Sequence, residues 1–212
     1  MTQLVLVRHG EPLAATVEPG GPDEGSGVGG GADPGLSARG CRQAERFAAW
    51  LAATPERDDV TEIVTSTMRR SRETADPAVR LLGVPEPPEV EDLCEFDRGR
   101  PTYRPVHERD PDDEDWKAIR SGVYPSFVDG PAFTSRVVAA LDAIAARQDP
   151  RASAVVVCHA GVINTYLAVI LGLERPLTFP LHHTSVSRVL VSRSGARRVS
   201  SVNETQHVED LR

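Results

Sequence analysis

Two short apolar runs, Gln3–Val7 (QLVLV) and Ala152–Cys158 (ASAVVVC), constrain this chain more than any other feature. Each is continuous rather than alternating, rich in β-branched residues and bounded by a charged residue or a turn signal. That is the pattern of a strand buried on both faces, as in a parallel sheet covered by helices. Val60–Thr65 (VTEIVT) is a third candidate. Helical patterns lie between the strands. Ser37 stands where it can cap a helix running through Leu51, with Ala44, Phe47, Ala48 and Leu51 on one face. Pro131 suits the first turn of another helix, whose Phe133, Val137, Leu141 and Ile144 recur at helical spacing. A further helix should run from Met68 toward Leu82, kinked or restarted at Pro77. Val186–Val191 and Arg198–Val202, separated by Ser194-Gly195, read as a C-terminal hairpin that adds antiparallel strands. The expectation is a three-layer α/β sandwich with a mostly parallel central sheet flanked by helices.

A chain of 212 residues suits one domain, 1–212, carrying one sizeable insertion. Two stretches break the pattern. Residues 14–35 hold eight glycines and no apolar periodicity, which predicts a flexible loop. Residues 98–129 are rich in Pro, Asp and Arg, with Tyr103, Trp116, Tyr124 and Phe127 scattered among them, and read as an irregular insertion over the site. Trp116 is expected to pack rather than to stack on a ligand. The run Asp110–Asp115 (DPDDED) reads as an exposed acidic face.

The formal net charge of -7, without a dense Lys/Arg patch, argues against nucleic acid as a partner. No apolar run approaches the roughly 20 residues of a membrane-spanning helix, and no basic leader precedes the first strand, so the expected location is cytoplasmic. Three widely spaced cysteines, Cys41, Cys94 and Cys158, suit reduced thiols better than a disulfide framework or a zinc site.

The chemistry gathers at strand ends. The first strand runs out into Arg8-His9-Gly10-Glu11 and the later one into His159-Ala160-Gly161. Ligands collect at the carboxyl ends of parallel strands, so if these two strands are neighbours, both imidazoles face one crevice. The third strand delivers Arg69, Arg70 and Arg72 over its end and a first helical turn, where cations oppose the helix dipole, which suggests a bound anion. With Arg8 they make a phosphate cradle. Two of the three are expected to be solvated surface charges.

These residues fall in a pattern: Leu4–Glu11 (LVLVRHGE), Leu36–Gly40 with Gln43-Ala44, Ser66–Ala75 (STMRRSRETA), Leu93-Cys94-Glu95 with Gly99, and His159–Ile163. In that order it resembles the histidine phosphatase superfamily, or phosphoglycerate mutase-like family, across most of the chain. The resemblance implies a phosphohistidine intermediate with His9 as nucleophile, Arg8 and Arg70 as phosphate clamps, His159 as the second pocket histidine, and Ala160 beside it against substrate. Thr74-Ala75 selects Arg70 over its neighbours. Glu95 matches the proton donor, although local spacing alone leaves Glu89, Glu91, Asp92 and Asp97 as candidates. No metal and no cofactor is implied; a homodimer is expected by family analogy alone.

Independent chemistry agrees. A phosphate monoester resists attack because its charge repels nucleophiles, so catalysis is mostly positioning and neutralisation, which arginines supply without metal. The nucleophilic imidazole must be neutral, with its other nitrogen held against a backbone carbonyl. The proton donor must be a carboxylic acid of raised pKa. The segment Pro12–Thr16 lacks the Asn and Trp-Asn residues by which mutases of this family anchor sugar-acid phosphates, so the expected activity is that of a metal-independent phosphatase on a small phosphorylated metabolite. The alternatives are mutase-type phosphoryl transfer and a non-hydrolytic phospho-ligand binding protein. Asn164 stands where many relatives carry a basic residue. His182-His183 reads first as a loop end and second as a donor to the pocket. A metal hydrolase built on His9, His159 and this pair lacks ligand spacing. His107 and His207 are expected to be solvated.

Overall fold

The computed structural model describes residues 1–17, 30–105 and 108–211. Its central sheet has five strands in the order β3 (Val60–Thr65), β5 (Ser153–Cys158), β1 (Thr2–Arg8), β6 (Val186–Val191) and β7 (Arg197–Glu204). The pairings β3–β5 and β5–β1 are parallel, whereas β1–β6 and β6–β7 are antiparallel, so four of the five strands point the same way. The architecture is therefore the mixed, mostly parallel sandwich expected.

Alternation along the central strands divides the core. Leu4, Leu6, Ala154 and Val156 face a cluster with Val137, Leu141, Ile144, Ile163 and Tyr166, contributed by α4 (Gly130–Ala146) and α5 (Ala160–Leu171). Val5, Val7, Val155 and Val157 face Phe47, Leu51, Ala75 and Ala78, contributed by α1 (Ala38–Ala53) and α2 (Arg69–Leu82). This double burial is why β1 and β5 read as unbroken apolar runs. Ser37 caps α1 by accepting from Gly40 N–H, and α4 starts with Asp129 as cap and Pro131 in its first turn. Pro77 is accommodated inside one continuous α2, so the helix neither stops nor restarts there.

The irregular segments have more structure than the sequence predicts. Ala15–Thr16 (β2) pairs with Thr102–Tyr103 (β4), and Ala32 N–H donates to Arg100 C=O, so both described ends of the glycine-rich stretch are fastened to the insertion. The bulk of that predicted loop, 18–29, lies outside the described residues. The insertion itself contains α3 (Glu114–Arg120), capped by Asp113 from the acidic run, most of which is exposed.

The expectation for His207 is overturned as well. His207 is buried, donating from Nε2 to Thr184 C=O at 2.9 Å and stacking on Trp50 with ring centroids 4.8 Å apart. The C-terminal 3₁₀ turn, Gln206–Leu211, folds back onto α1, where Leu211 C=O accepts from Arg39 and Gln43, and its polar sequence conceals that docking. His107 lies outside the described residues.

Candidate active site

The register of β1 on β5 brings the distant histidines together. Val7 lies opposite Val157 and Arg8 opposite Cys158, so continuing one residue sets His9 beside His159. Their ring centroids are 5.1 Å apart. Backbone bonds hold the exit of β1 firmly: Arg8 N–H donates to Ser185 C=O, His9 N–H to Cys158 C=O, Gly10 N–H to Thr74 Oγ1 and Glu11 N–H to the Gln43 side chain. Gly40 makes the close approach of α1 possible, because a Cβ there would sit 2.1 Å from Glu11 O.

His9 is buried, and its Nδ1 lies 2.7 Å from Gly10 C=O. A carbonyl only accepts, so Nδ1 carries the proton and Nε2 keeps its lone pair. Burial, reinforced by the charge of Arg70, holds the His9 pKa well below the usual imidazole value, and the same two causes do so for His159. Both rings are therefore neutral near neutral pH. His159 is fully buried, with Nε2 2.7 Å from Ser66 Oγ and Nδ1 without a protein partner.

Arg70 is a fully buried cation and Arg8 a partly buried one, and each has N–H capacity left over. Arg8 donates from Nη1 to Leu181 C=O at 2.6 Å and meets His183 Nε2 through Nη2 at 2.9 Å, and its Nε has no protein partner. Arg70, with a side chain only 1% exposed, pairs with Asp97 at 3.1 Å and lies 4.8 Å from the centre of the Tyr103 ring. Its Nε and Nη1 are unpartnered. Arg69 and Arg72, by contrast, are exposed and pair with Glu73 and Glu89, so one arginine of the three turns inward.

Glu95 is the buried carboxyl of its crowded stretch. Oε2 accepts from Gly161 N–H at 2.8 Å, and Oε1 accepts from Phe96 N–H at 3.1 Å. Burial, with Asp97 adding repulsion, pushes its pKa up to about 7 against the stabilising backbone bonds. Gly161 permits this contact, since a Cβ there would stand 2.2 Å from Glu95 Oε1. Glu89 and Glu91 are exposed, and Asp97 is committed to Arg70.

Arg8, His9, Arg70, Glu95 and Ala160 line the base of one cavity of about 670 Å3, and His159, fully buried, stands behind them against the His9 ring. Sequence reasoning missed Ser66 and the role of Asp97, and put the pocket role of His183 second. Ser66 orients His159, Asp97 holds Arg70, and His183 contacts Arg8 rather than merely ending a loop. Trp116, expected to pack, instead lines the cavity beneath the Arg109 guanidinium. Nothing local in the sequence marks Asp97 or His183, whose neighbours are set by long-range folding. Asn164 spends its amide bracing the loop beyond α5, donating to Ala160 C=O and Phe179 C=O and accepting from Phe179 N–H. Among the described residues no group of three or more His, Cys, Asp or Glu is arranged to hold a metal ion, and no helix is long and apolar enough to cross a membrane.

The profile of the histidine phosphatase superfamily (branch 1) matches residues 4–205. The chain belongs to that superfamily. Membership makes it a phosphomonoester hydrolase by class. Among solved structures, a mutant phosphoserine phosphatase from Entamoeba histolytica in complex with phosphoserine superposes with TM-score 0.70 at 22% identity, covering 98% of this chain and 100% of its own. A mycobacterial glucosyl-3-phosphoglycerate phosphatase gives TM-score 0.71 at 23% identity, covering 95% and 98%. The α-ribazole phosphatase of Shigella flexneri gives 0.64 at 21% identity, covering 95% and 96%. At such identities the likeness speaks for the fold. No curated protein matches this chain.

Proposed function

We propose that this protein hydrolyses a small phosphorylated metabolite through a phosphohistidine on His9, without a metal ion. The observation that carries the reading is His9 itself: a neutral ring whose Nδ1–H is committed to Gly10 C=O, leaving Nε2 as a lone pair at the base of a cavity flanked by the guanidiniums of buried Arg70 and half-buried Arg8, both with free N–H groups.

In the first step Nε2 attacks phosphorus as the ester P–O bond breaks. Glu95, protonated below about pH 7, gives its proton to the departing alkoxide. The unpartnered N–H groups of Arg8 and Arg70 take the equatorial oxygens, and His159, with Ser66 donating to Nε2, offers Nδ1–H to the same group. In the second step the Glu95 carboxylate takes a proton from water, the oxygen attacks phosphorus and the P–N bond breaks. Inorganic phosphate leaves, and both His9 and Glu95 return to their starting protonation states. Charge neutralisation is built in before substrate arrives, so little reorganisation is required.

The test is hydrolysis of p-nitrophenyl phosphate in EDTA. Wild type should turn over and should trap acid-labile, base-stable label on His9 after a rapid quench. His9→Ala should lose about 10⁴-fold or more. An inert wild type, or a His9→Ala variant that keeps the rate, sinks the reading. Faster isomerisation than hydrolysis of 3-phosphoglycerate would point to a mutase instead.

A further inference from the structure

The cavity extends well beyond a phosphoryl group, and its outer part has its own chemistry. Trp116, Ile119 and Arg120 stand three and four positions apart on α3, which places them on one face of that helix, and all three line the cavity. Leu177 and Phe179 line it from the loop after α5. The two walls are tied together, because Leu177 N–H donates to Gly122 C=O at 2.9 Å just beyond α3. Phe179 is clamped by both ends of the Asn164 amide. The result is a preformed apolar slot rather than two loose loops.

Charge is the second observation. Arg109 and Arg120 join Arg8 and Arg70 in the lining, whereas its acids are Glu95 and Asp97. Arg109 lies over the Trp116 ring at 5.2 Å, held by its Nε donating to Arg104 C=O, so its charge sits at the slot itself. The acidic run nearby is occupied elsewhere: Asp113 caps α3, Glu114 pairs with Lys117, and Asp115 accepts from Ser126. With Glu95 carrying its proton, four guanidiniums and one carboxylate leave a surplus of three positive charges. A phosphoryl dianion offsets two of them. One positive charge remains beside an aromatic wall.

Resting on the phosphatase reading above, we infer that the alcohol released by this enzyme carries a flat aromatic body, seated between Trp116 and Phe179, and a second anionic group met by Arg109 and Arg120. A compact sugar-acid phosphate would supply the anion but leave the apolar slot to water. An uncharged aryl alcohol would fill the slot and leave the cationic rim unmatched.

The experiment compares kcat/KM for 4-carboxybenzyl phosphate, benzyl phosphate, 3-phosphoglycerate and glycerol phosphate, all of which leave as alkoxides, with p-nitrophenyl phosphate as the reference for hydrolysis. Carboxybenzyl should exceed benzyl phosphate by on the order of tenfold, chiefly through KM. Benzyl should exceed glycerol phosphate by a similar factor. The double variant Arg109→Gln/Arg120→Gln should bring the first ratio toward one. Trp116→Ala should bring the second toward one, with Trp116→Leu intermediate because it restores apolar bulk without a ring. If p-nitrophenyl phosphate is hydrolysed but the four alkyl esters react within twofold of one another, or the preferences survive the substitutions, the inference fails and the phosphatase reading stands. If none of the five esters reacts, the phosphatase reading fails and takes the inference with it.

Discussion

The base and the rim of the cavity are built in different ways. At the base, Arg8 ends β1 and His9 follows it, Arg70 lies in the first turn of α2 and Glu95 in the loop after a 3₁₀ turn, with His159 buried at the exit of β5, and all but Arg8 are nearly or fully inaccessible. Arg8 and His9 are tied by their backbone to neighbouring strands, and Glu95 and Arg70 are held through their side chains by Gly161 N–H and Asp97, so each group is held before substrate arrives. At the rim, Arg109, Trp116 and Arg120 are partly or fully exposed on a short helix and the segment before it. The contrast teaches where each function can live. Chemistry needs groups fixed in a low-dielectric setting, whereas selection among substrates needs only a wall that excludes the wrong shape. Substitutions at the base should therefore act on kcat, and those at the rim on KM.

The sharpest attack on that division is Glu95→Gln. Losing the donor should cost kcat about 10²- to 10⁴-fold on an alkyl phosphate, and much less on p-nitrophenyl phosphate, whose leaving group departs as an anion. Wild-type activity should fall as pH rises through about 7, where Glu95 loses its proton, and the variant should lose that limb. Stability follows with a definite sign. The folded pKa of about 7 stands above the reference 4.5, so the folded state binds more protons across that window and the protein loses stability as pH rises through it. Thermal melts of wild type and Glu95→Gln between pH 4.5 and 7 check this, with a flatter dependence expected for the variant.

Arg70→Ala comes next. It removes two unpartnered donors from the cavity and leaves Asp97 without its cation, and should lower kcat by about 10²- to 10³-fold. If steady-state kinetics showed a change in KM alone, the base would be behaving like the rim and the contrast would collapse.

Gly161→Ala should have a smaller effect on kcat, on the order of tenfold to a hundredfold, since the added methyl displaces Glu95 rather than deleting it. A crystal structure of the variant should show the carboxyl moved off Gly161 N–H. Smallest is His207→Ala, outside the cavity altogether. It removes a ring stacked on Trp50 and a hydrogen bond to Thr184, whose own N–H donates to Arg8 C=O, and should lower stability by about 1–3 kcal/mol in a denaturant titration.

The sheet and the base of the site were largely legible in the residues. Continuous β-branched runs can be satisfied only by double burial, and a histidine immediately after each run must emerge at a strand end. The choice among carboxyls was not legible, because Glu89, Glu91, Asp92, Glu95 and Asp97 differ in burial and not in type. The inward turn of Arg70 between exposed Arg69 and Arg72 follows from helical phase, since α2 packs the face bearing Arg70, Ser71 and Thr74 inward. His207 was misread for a related reason, its surroundings being supplied by Trp50, and His183, read first as a loop end and second as a donor to the pocket, meets Arg8, far away in the chain.

The order of strands and helices, the pair of strand-end imidazoles and their guanidinium company were set by local pattern, which a linear text carries because burial periodicity and residue chemistry repeat at short range. Tertiary structure alone decided which carboxyl is desolvated, which arginines keep unused donors, and how α3 and the loop after α5 close on one slot. Those properties depend on the distance between residues remote in the chain and on the water that packing removes, and neither quantity is written in any short stretch of sequence.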